Sequence, residues 1–184
     1  KWLQPIKSVL KPTGSIWVMG SYHNIGIVNV IMQELEIEII NEVIWYKRNA
    51  FPNLSGRRLT ASHETLLWAH TGNGKRKYFF NYEWAKKCKF PHDKLKLSNK
   101  QMRTVWDIPN NKNEEELLYG NHPTQKPQRL IDRIINISTK PEDIILSLFS
   151  GSGVDCVSAK KLNRRFLGFE NDESYVEMAN NRIS

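Results

Sequence analysis

The chain has 184 residues, of which 40% are hydrophobic, and its formal net charge is +8. This length is enough for one domain with a real core. No apolar run approaches the roughly 20 residues that a membrane span needs, and no basic-then-apolar leader opens the sequence. Two cysteines far apart in the sequence indicate a reducing compartment and no disulfide framework. We therefore expect a cytoplasmic protein with no membrane partner.

The excess positive charge is concentrated in one segment. Residues 71–103 contain ten Lys and Arg side chains and two acidic side chains, and this difference equals the excess of the whole chain. A concentrated basic segment favours a polyanionic partner such as nucleic acid. A cationic surface can also serve solubility alone, so the charge count leaves both interpretations open.

Helices and strands alternate in the first part of the chain. Apolar spacing predicts the end of an amphipathic helix in 1–10, a buried strand at 15–20 and a helix at 25–35. Two further strands are predicted at 37–45 and 65–69, joined by a polar segment. We expect these two strands to be antiparallel neighbours at one edge of the sheet, because a short loop cannot carry a parallel crossover.

The segment that joins these two strands interleaves aromatic side chains with cations and amides. Enzymes that act on a base within a duplex extrude it and hold it by stacking and by hydrogen bonds to its edge. Stacking on an aromatic side chain contributes roughly 1–3 kcal/mol per base. The alternative is a solvent-facing hairpin with one buried aromatic residue.

Periodicity is poor from 72 to about 119, and this basic, aromatic-rich region is too long for a simple connection unless it is functional or mobile. Cys88 and His92 are two potential metal ligands without a second pair, so we expect no metal site. The acidic patch at 113–116 is expected to be mobile.

The last part of the chain contains a strand, a glycine-rich turn, a helix and a second strand that ends on an acid. The apolar run at 144–149 has the length and lack of alternation of a strand buried on both faces. The glycine-rich turn at 150–153 precedes a helix predicted at 154–163, and the second strand spans 165–169. A final helix is predicted at 174–183.

This arrangement is typical of a nucleoside site. Small residues in the turn let a ligand approach the main chain and the first N–H groups of the helix. Glu170 follows the second strand, where a carboxylate can accept hydrogen bonds from ribose hydroxyls. Cys156 replaces the third glycine of a dinucleotide fingerprint, which counts against a pyrophosphate cofactor. A nicotinamide-dependent oxidoreductase and an ordinary strand-turn-helix remain alternatives.

Three motifs occur in a characteristic order: HPTQKP at 122–127, FSGSG at 149–153 and GFE at 168–170. Together they resemble the beta class of DNA amino-methyltransferases, whose motif order is circularly permuted. The resemblance extends upstream through 9–21 and 41–53. It implies a Rossmann-like α/β fold with three layers and a mainly parallel sheet with an antiparallel edge.

The resemblance also implies a function and a division of the chain. The expected reaction is methyl transfer from S-adenosylmethionine to an exocyclic amino group in double-stranded DNA, with adenine N6 favoured over cytosine N4. A cofactor- and DNA-binding subunit and an enzyme acting on RNA are the alternatives. Residues 1–71 would form the catalytic-side half of the core, 72–119 a target-recognition insert and 120–184 the cofactor-binding half. A homodimer, a cognate restriction endonuclease and association with the bacterial nucleoid would fit this class.

Site residues follow from the same resemblance. Those expected to bind the cofactor are His122, Thr124, Gln125, Lys126, Phe149, Ser150, Gly151, Ser152, Gly153 and Glu170. Those expected to form the target-base pocket are Tyr46, Asn49, Phe51 and Pro52. Those expected to contact DNA are Lys47, Arg48, Arg57, Arg58, Lys75, Arg76 and Lys77. Lys126 is expected near the carboxylate of the methionine part of the cofactor.

The catalytic motif of this class is not present in the sequence. It is Asp, Asn or Ser followed by two prolines and an aromatic residue, but none of the eight prolines here is adjacent to another. The sequence therefore supplies no catalytic residue, and we expect the motif upstream of Lys1.

Overall fold

A computed structural model describes residues 2–72, 77–90 and 99–184. The chain divides into two compact units, Lys1–Pro109 and Asn110–Ser184. Among the described residues, no helix has the length and apolar character required to cross a membrane.

The first unit contains a four-stranded sheet. Its elements are α1 (Leu3–Val9), β1 (Ile16–Gly20), α2 (Ile25–Glu34), β2 (Glu38–Tyr46), β3 (His63–His70), α3 (Tyr82–Lys87) and β4 (Val105–Asp107). The strand order is β1-β3-β2-β4. β2 and β3 pair antiparallel, as the sequence predicted. The expectation that they lie at one edge is wrong for this sheet, because β1 pairs antiparallel with β3 and makes β2 and β3 its inner strands. The three-residue β4, which periodicity did not predict, adds in parallel beyond β2.

Aromatic side chains form much of the core of this unit. Trp45 is fully buried and its indole N–H donates to the Ile108 carbonyl at 2.6 Å. Trp68 stacks on Trp17 with ring centroids 5.2 Å apart. Tyr78 contacts the edge of Trp68, at a centroid distance of 5.5 Å. The described beginning of the basic region is thus packed against the sheet.

The second unit combines two parallel strands with four helices. Its elements are α4 (Glu114–Leu117), α5 (Gln128–Ser138), β5 (Ile144–Ser147), α6 (Val154–Lys161), β6 (Arg165–Gly168) and α7 (Glu173–Ile183). β5 and β6 pair in parallel, with Leu146 opposite Leu167. α5 buries an apolar face that includes Leu130, Ile131 and Ile135.

Two expectations for this unit are wrong. The strand at 144–149 is not buried on both faces, because Ile144 is 52% exposed and Leu146 is 40% exposed. α6 packs against β5, and on that side Ser147 is buried and donates to Asp155. The patch at 113–116, which we expected to be mobile, instead begins a capped helix whose Glu116 is buried.

Candidate functional site

The glycine-rich turn needs glycine at two positions. Gly151 has φ 50° and Gly153 has φ 74°, in the left-handed region that side chains with a Cβ disfavour. A Cβ on Gly153 would lie 2.6 Å from the Cβ of Ala179 in α7. The turn can therefore pass close beneath α7 and lead directly into α6.

Glu170 joins the end of β6 to this turn. Its Oε2 accepts from the Gly151 N–H at 2.7 Å, and its Oε1 accepts from the N–H groups of Asn171 at 2.8 Å and Asp172 at 3.2 Å. Desolvation alone would raise the pKa of Glu170, but the three main-chain hydrogen bonds together lower this pKa below its usual value. The carboxylate is therefore ionised and held in a fixed orientation at the C-terminal end of the strand.

The ends of the two parallel strands are also joined through their main chains. The Ser150 N–H donates to the Phe169 carbonyl at 2.8 Å, and the Phe169 N–H donates to the Ser147 carbonyl at 2.9 Å. Phe149 is 70% exposed beside this junction. A large exposed aromatic side chain at the carboxyl edge of parallel strands suits contact with a ligand, since ligands of open α/β sheets bind at that edge.

His122 brings the HPTQKP segment to the turn. A Cβ on Gly151 would lie 3.1 Å from its Nε2. The imidazole also packs on Tyr175, with ring centroids 4.3 Å apart, and its Nδ1 accepts from the Thr124 N–H at 3.2 Å. The structure therefore brings together His122, the turn and Glu170, with Thr124 linked through His122.

Gln125 faces a different neighbour. It is only 4% exposed, and its Nε2 donates to the Glu116 carbonyl at 2.9 Å. Lys126 is partly buried. The main chain of Ser152, also expected at the cofactor, accepts from Arg182 at 2.8 Å. Sequence reasoning missed Glu116 and Arg182, although the capping-box spacing of Asn113 and Glu116 was a local signal for Glu116.

The predicted base-pocket residues lie at the end of β2 and in the segment that follows it. Tyr46 is 41% exposed and Phe51 is 79% exposed, and Asn49 and Pro52 are also exposed. Exposed aromatic rings beside amide groups are chemically suited to stacking and to hydrogen bonds with a base edge.

The cations of this segment fall into two groups. Lys47 pairs with Glu64 at 3.1 Å, and Arg48 forms a two-point pair with Asp107 at 2.9 and 2.8 Å. Arg57 and Arg58 are exposed, and Arg58 also contacts the Tyr22 hydroxyl at 3.3 Å. The first pair of cations therefore holds the base of the segment, whereas the second pair lies toward its tip.

Part of the predicted DNA surface lies outside the described residues. This applies to Lys75 and Arg76, whereas Lys77 is described and exposed. His92 also lies outside them, and the Cys88 thiol donates to the Ala85 carbonyl at 3.4 Å. Within the described ranges, no group of three or more His, Cys, Asp or Glu side chains could hold a metal ion.

A family model described as "DNA methylase", N6_N4_Mtase, matches residues 1–181. The chain belongs to this family. Among curated proteins, this member of the DNA methylase family is 41% identical over 183 residues to the type II methyltransferase M2.DpnII of Streptococcus pneumoniae. It is 40% identical over 184 residues to the type II methyltransferase M2.LlaDCHI of Lactococcus lactis subsp. cremoris. Each alignment covers all of this chain but only 65% of the relative.

Solved structures confirm the fold class. The M1.HpyAVI–SAM complex aligns with a TM-score of 0.76 at 27% identity, covering all of this chain and 80% of that one. The cytosine-N4-specific PvuII DNA methyltransferase aligns with a TM-score of 0.80, covering all of this chain and 68% of that one. Its 19% identity supports the fold alone. The chain has the Rossmann-like α/β fold that the motifs implied.

Proposed function

We propose that the full-length protein transfers a methyl group from S-adenosylmethionine to an exocyclic amino group of double-stranded DNA, at adenine N6. Cytosine N4 is the alternative acceptor. The observation that carries this proposal is the Glu170 carboxylate fixed against a left-handed glycine turn, in a chain of the DNA methylase family. Similarity to two type II methyltransferases over the whole chain supports it.

The second unit fits the cofactor. The glycine turn is buried and packs closely against His122, since a Cβ on Gly151 would lie 3.1 Å from His122 Nε2. Glu170 would accept from the ribose, Phe149 would contact the adenine and the HPTQKP segment would meet the methionine part. We assign cofactor binding to the residues expected from the sequence. Gln125 would contribute by fixing the HPTQKP segment to α4 through its contact with Glu116. S-adenosylmethionine supplies the reactive methyl group.

The protein's contribution is to place the acceptor nitrogen in line with this methyl group. Holding two reactants in the correct orientation can contribute about 7–11 kcal/mol to lowering a barrier. Tyr46, Asn49, Phe51 and Pro52 would hold the extruded base. We assign no catalytic residue to these 184 positions, because they lack a pair of adjacent prolines. This lack also favours the second candidate function, a subunit that binds cofactor and DNA.

The division into 1–71, 72–119 and 120–184 remains our proposal, with the basic middle region as the part that recognises DNA. Phosphate contact is proposed first for Arg57, Arg58, Lys75, Arg76 and Lys77. Lys47 and Arg48 would have to leave their ion pairs to reach a phosphate, so we rank them lower. We further propose that the enzyme is cytoplasmic and acts near the nucleoid. It would act as a homodimer and beside a cognate restriction endonuclease.

Two measurements test the function. Isothermal titration calorimetry with S-adenosylmethionine and with NAD should show binding of the first alone; binding of NAD alone would favour an oxidoreductase. The full-length protein should transfer tritiated methyl groups to mixed-sequence genomic duplex DNA and not to structured RNA. Cofactor and DNA binding without transfer would favour the binding subunit, and transfer to RNA alone would refute DNA as the substrate.

A further inference from the structure

Glu116 is a buried carboxylate with no role in the site described so far. It is 4% exposed in α4, whereas its neighbours Glu114 and Glu115 are exposed. Its two oxygens accept from the main-chain N–H groups of Asn113 at 3.2 Å and Gln128 at 2.7 Å. A buried carboxylate is costly unless hydrogen bonds and nearby charges compensate it. These contacts therefore identify Glu116 as a specific structural element and not as part of a solvated acidic face.

Glu116 holds Gln125 of the HPTQKP segment and Gln128 directly after it. Gln128 is the first residue of α5, and the preceding Pro127 offers no side-chain cap. Because the first N–H groups of a helix have no partner within it, the Glu116 carboxylate caps α5 from another element. The Glu116 carbonyl accepts from the Gln125 side chain at 2.9 Å. Residues 125 and 128 are thus both fixed on α4.

Arg182 links the surroundings of Glu116 to the glycine turn. Both side chains line a cavity of about 480 Å³. Burial lowers the pKa of Arg182, and the charge of Glu116 acts in the opposite direction. The guanidinium donates to the Ser152 carbonyl at 2.8 Å. The Glu116 carboxylate thus caps α5 directly after the HPTQKP segment and lines the same cavity as the guanidinium that binds the glycine turn.

We propose that Glu116 is a positioning residue for S-adenosylmethionine binding, which holds the HPTQKP segment and the glycine turn in their binding arrangement. This inference rests on the proposed function. Glu116 itself need not touch the ligand, since its contacts are with Asn113, Gln125 and Gln128. Its effect should be largest on the methionine part of the cofactor, where Lys126 is expected.

Glu116→Gln should weaken S-adenosylmethionine binding about tenfold, because hydrogen bonds to a charged acceptor are lost or weakened. The affinity for adenosine, which lacks the methionine part, should fall less. Calorimetry well below the melting temperature measures both affinities. Glu115→Gln is the matched control, since it removes an exposed acid from the same helix and should change neither affinity.

A second variant tests the contact without altering Glu116. Gln128→Pro removes the main-chain N–H that donates to Glu116. Proline fits this position for two reasons: the preceding Pro127 has φ −66° and ψ 134°, and the first residue of a helix tolerates proline. Gln128→Ala keeps the N–H and is its control. Gln128→Pro should weaken binding in the same sense as Glu116→Gln. The double variant should bind little more weakly than either single variant, because both remove one interaction.

Three results would overturn this inference. The first is that the Glu116→Gln variant has the same affinity for S-adenosylmethionine as the Glu115→Gln variant, while the unaltered protein binds the cofactor normally. Another is equal loss of S-adenosylmethionine and adenosine affinity, which indicates general loosening of the unit. The third is full additivity in the double variant. Failure of the unaltered protein to bind S-adenosylmethionine would instead refute the proposed function, and this inference with it.

Discussion

Replacing Glu170 by alanine should weaken S-adenosylmethionine binding by a limited and calculable amount. A carboxylate offers about four acceptor sites, and three main-chain N–H groups already use three of them. One ribose hydroxyl can therefore donate to the unused acceptor site. The second hydroxyl must displace one of the three main-chain donors. The Asp172 N–H, at 3.2 Å, forms the longest of the three bonds and should exchange first.

The net gain is thus close to one hydrogen bond to a charged acceptor, which contributes about 1.5–3 kcal/mol. Glu170 is also partly exposed, so the lower half of this range applies. We expect Glu170→Ala to raise the Kd for the cofactor roughly 10- to 40-fold, measured by calorimetry. Affinity for duplex DNA should be nearly unchanged.

Glu173→Ala is the matched control, because it removes an exposed acid from the first turn of α7. The low pKa of Glu170 also fixes a sign for the pH dependence. Its carboxylate should remain ionised, and cofactor affinity constant, as pH falls through the ordinary glutamate range; affinity should fall only below that range. Equal losses of cofactor and DNA affinity in Glu170→Ala would refute the reasoning, because they would make the residue merely structural.

The other predictions concern DNA binding and the turn. Simultaneous replacement of Lys75, Arg76 and Lys77 by alanine should lower the log–log salt slope of DNA binding by about 2–3; an unchanged slope would place the DNA surface elsewhere. Arg57→Ala should lower this slope by about 1, whereas Arg48→Ala should leave it unchanged because that cation is paired. Phe51→Ala should lower methyl transfer roughly 10- to 100-fold, because stacking on the extruded base is lost. The melting temperature should be unchanged, and binding to duplex with an abasic site opposite the target base should weaken no more than binding to intact duplex. Full activity of this variant would remove Phe51 from the base pocket. Gly153→Ala should destabilise the fold by about 1–3 kcal/mol, since it combines positive φ with a 2.6 Å contact. Gly26→Ala, at an open helical position, should be neutral or stabilising in the same thermal melts.

The elements that sequence predicted well are those that neighbouring residues determine. The strand pair β2 and β3, the glycine turn and the position of Glu170 all follow from short-range spacing. Gly151 and Gly153 have the positive φ angles that the turn requires, so the sequence signal and the backbone geometry agree. The Rossmann-like class followed from the order of three motifs, each local in the chain.

The contacts that sequence did not predict join residues far apart in the chain. Arg48 pairs with Asp107, which lies 59 positions further along the chain in the unpredicted strand β4. Glu116 is buried, and its carboxylate accepts from the main-chain N–H of Gln128, 12 positions away. Spacing from Asn113 marks Glu116 locally as the acid of a capping box, but only the tertiary arrangement shows that its other oxygen caps α5 at Gln128.

Charge composition likewise identified a basic protein without showing which cations are available to DNA. Lys47 and Arg48 form ion pairs with Glu64 and Asp107, where the segment between β2 and β3 leaves the sheet. Breaking a partly buried pair to reach a phosphate would leave an acid uncompensated, which opposes the gain from the new contact. The same pairs anchor the base of the segment and leave its exposed middle, including Phe51, to meet a ligand. The cations best placed to bind DNA are therefore those outside ion pairs and not those closest in sequence to the base pocket. The salt slopes of the Arg57→Ala and Arg48→Ala variants test this conclusion directly, because Arg48 is paired with Asp107.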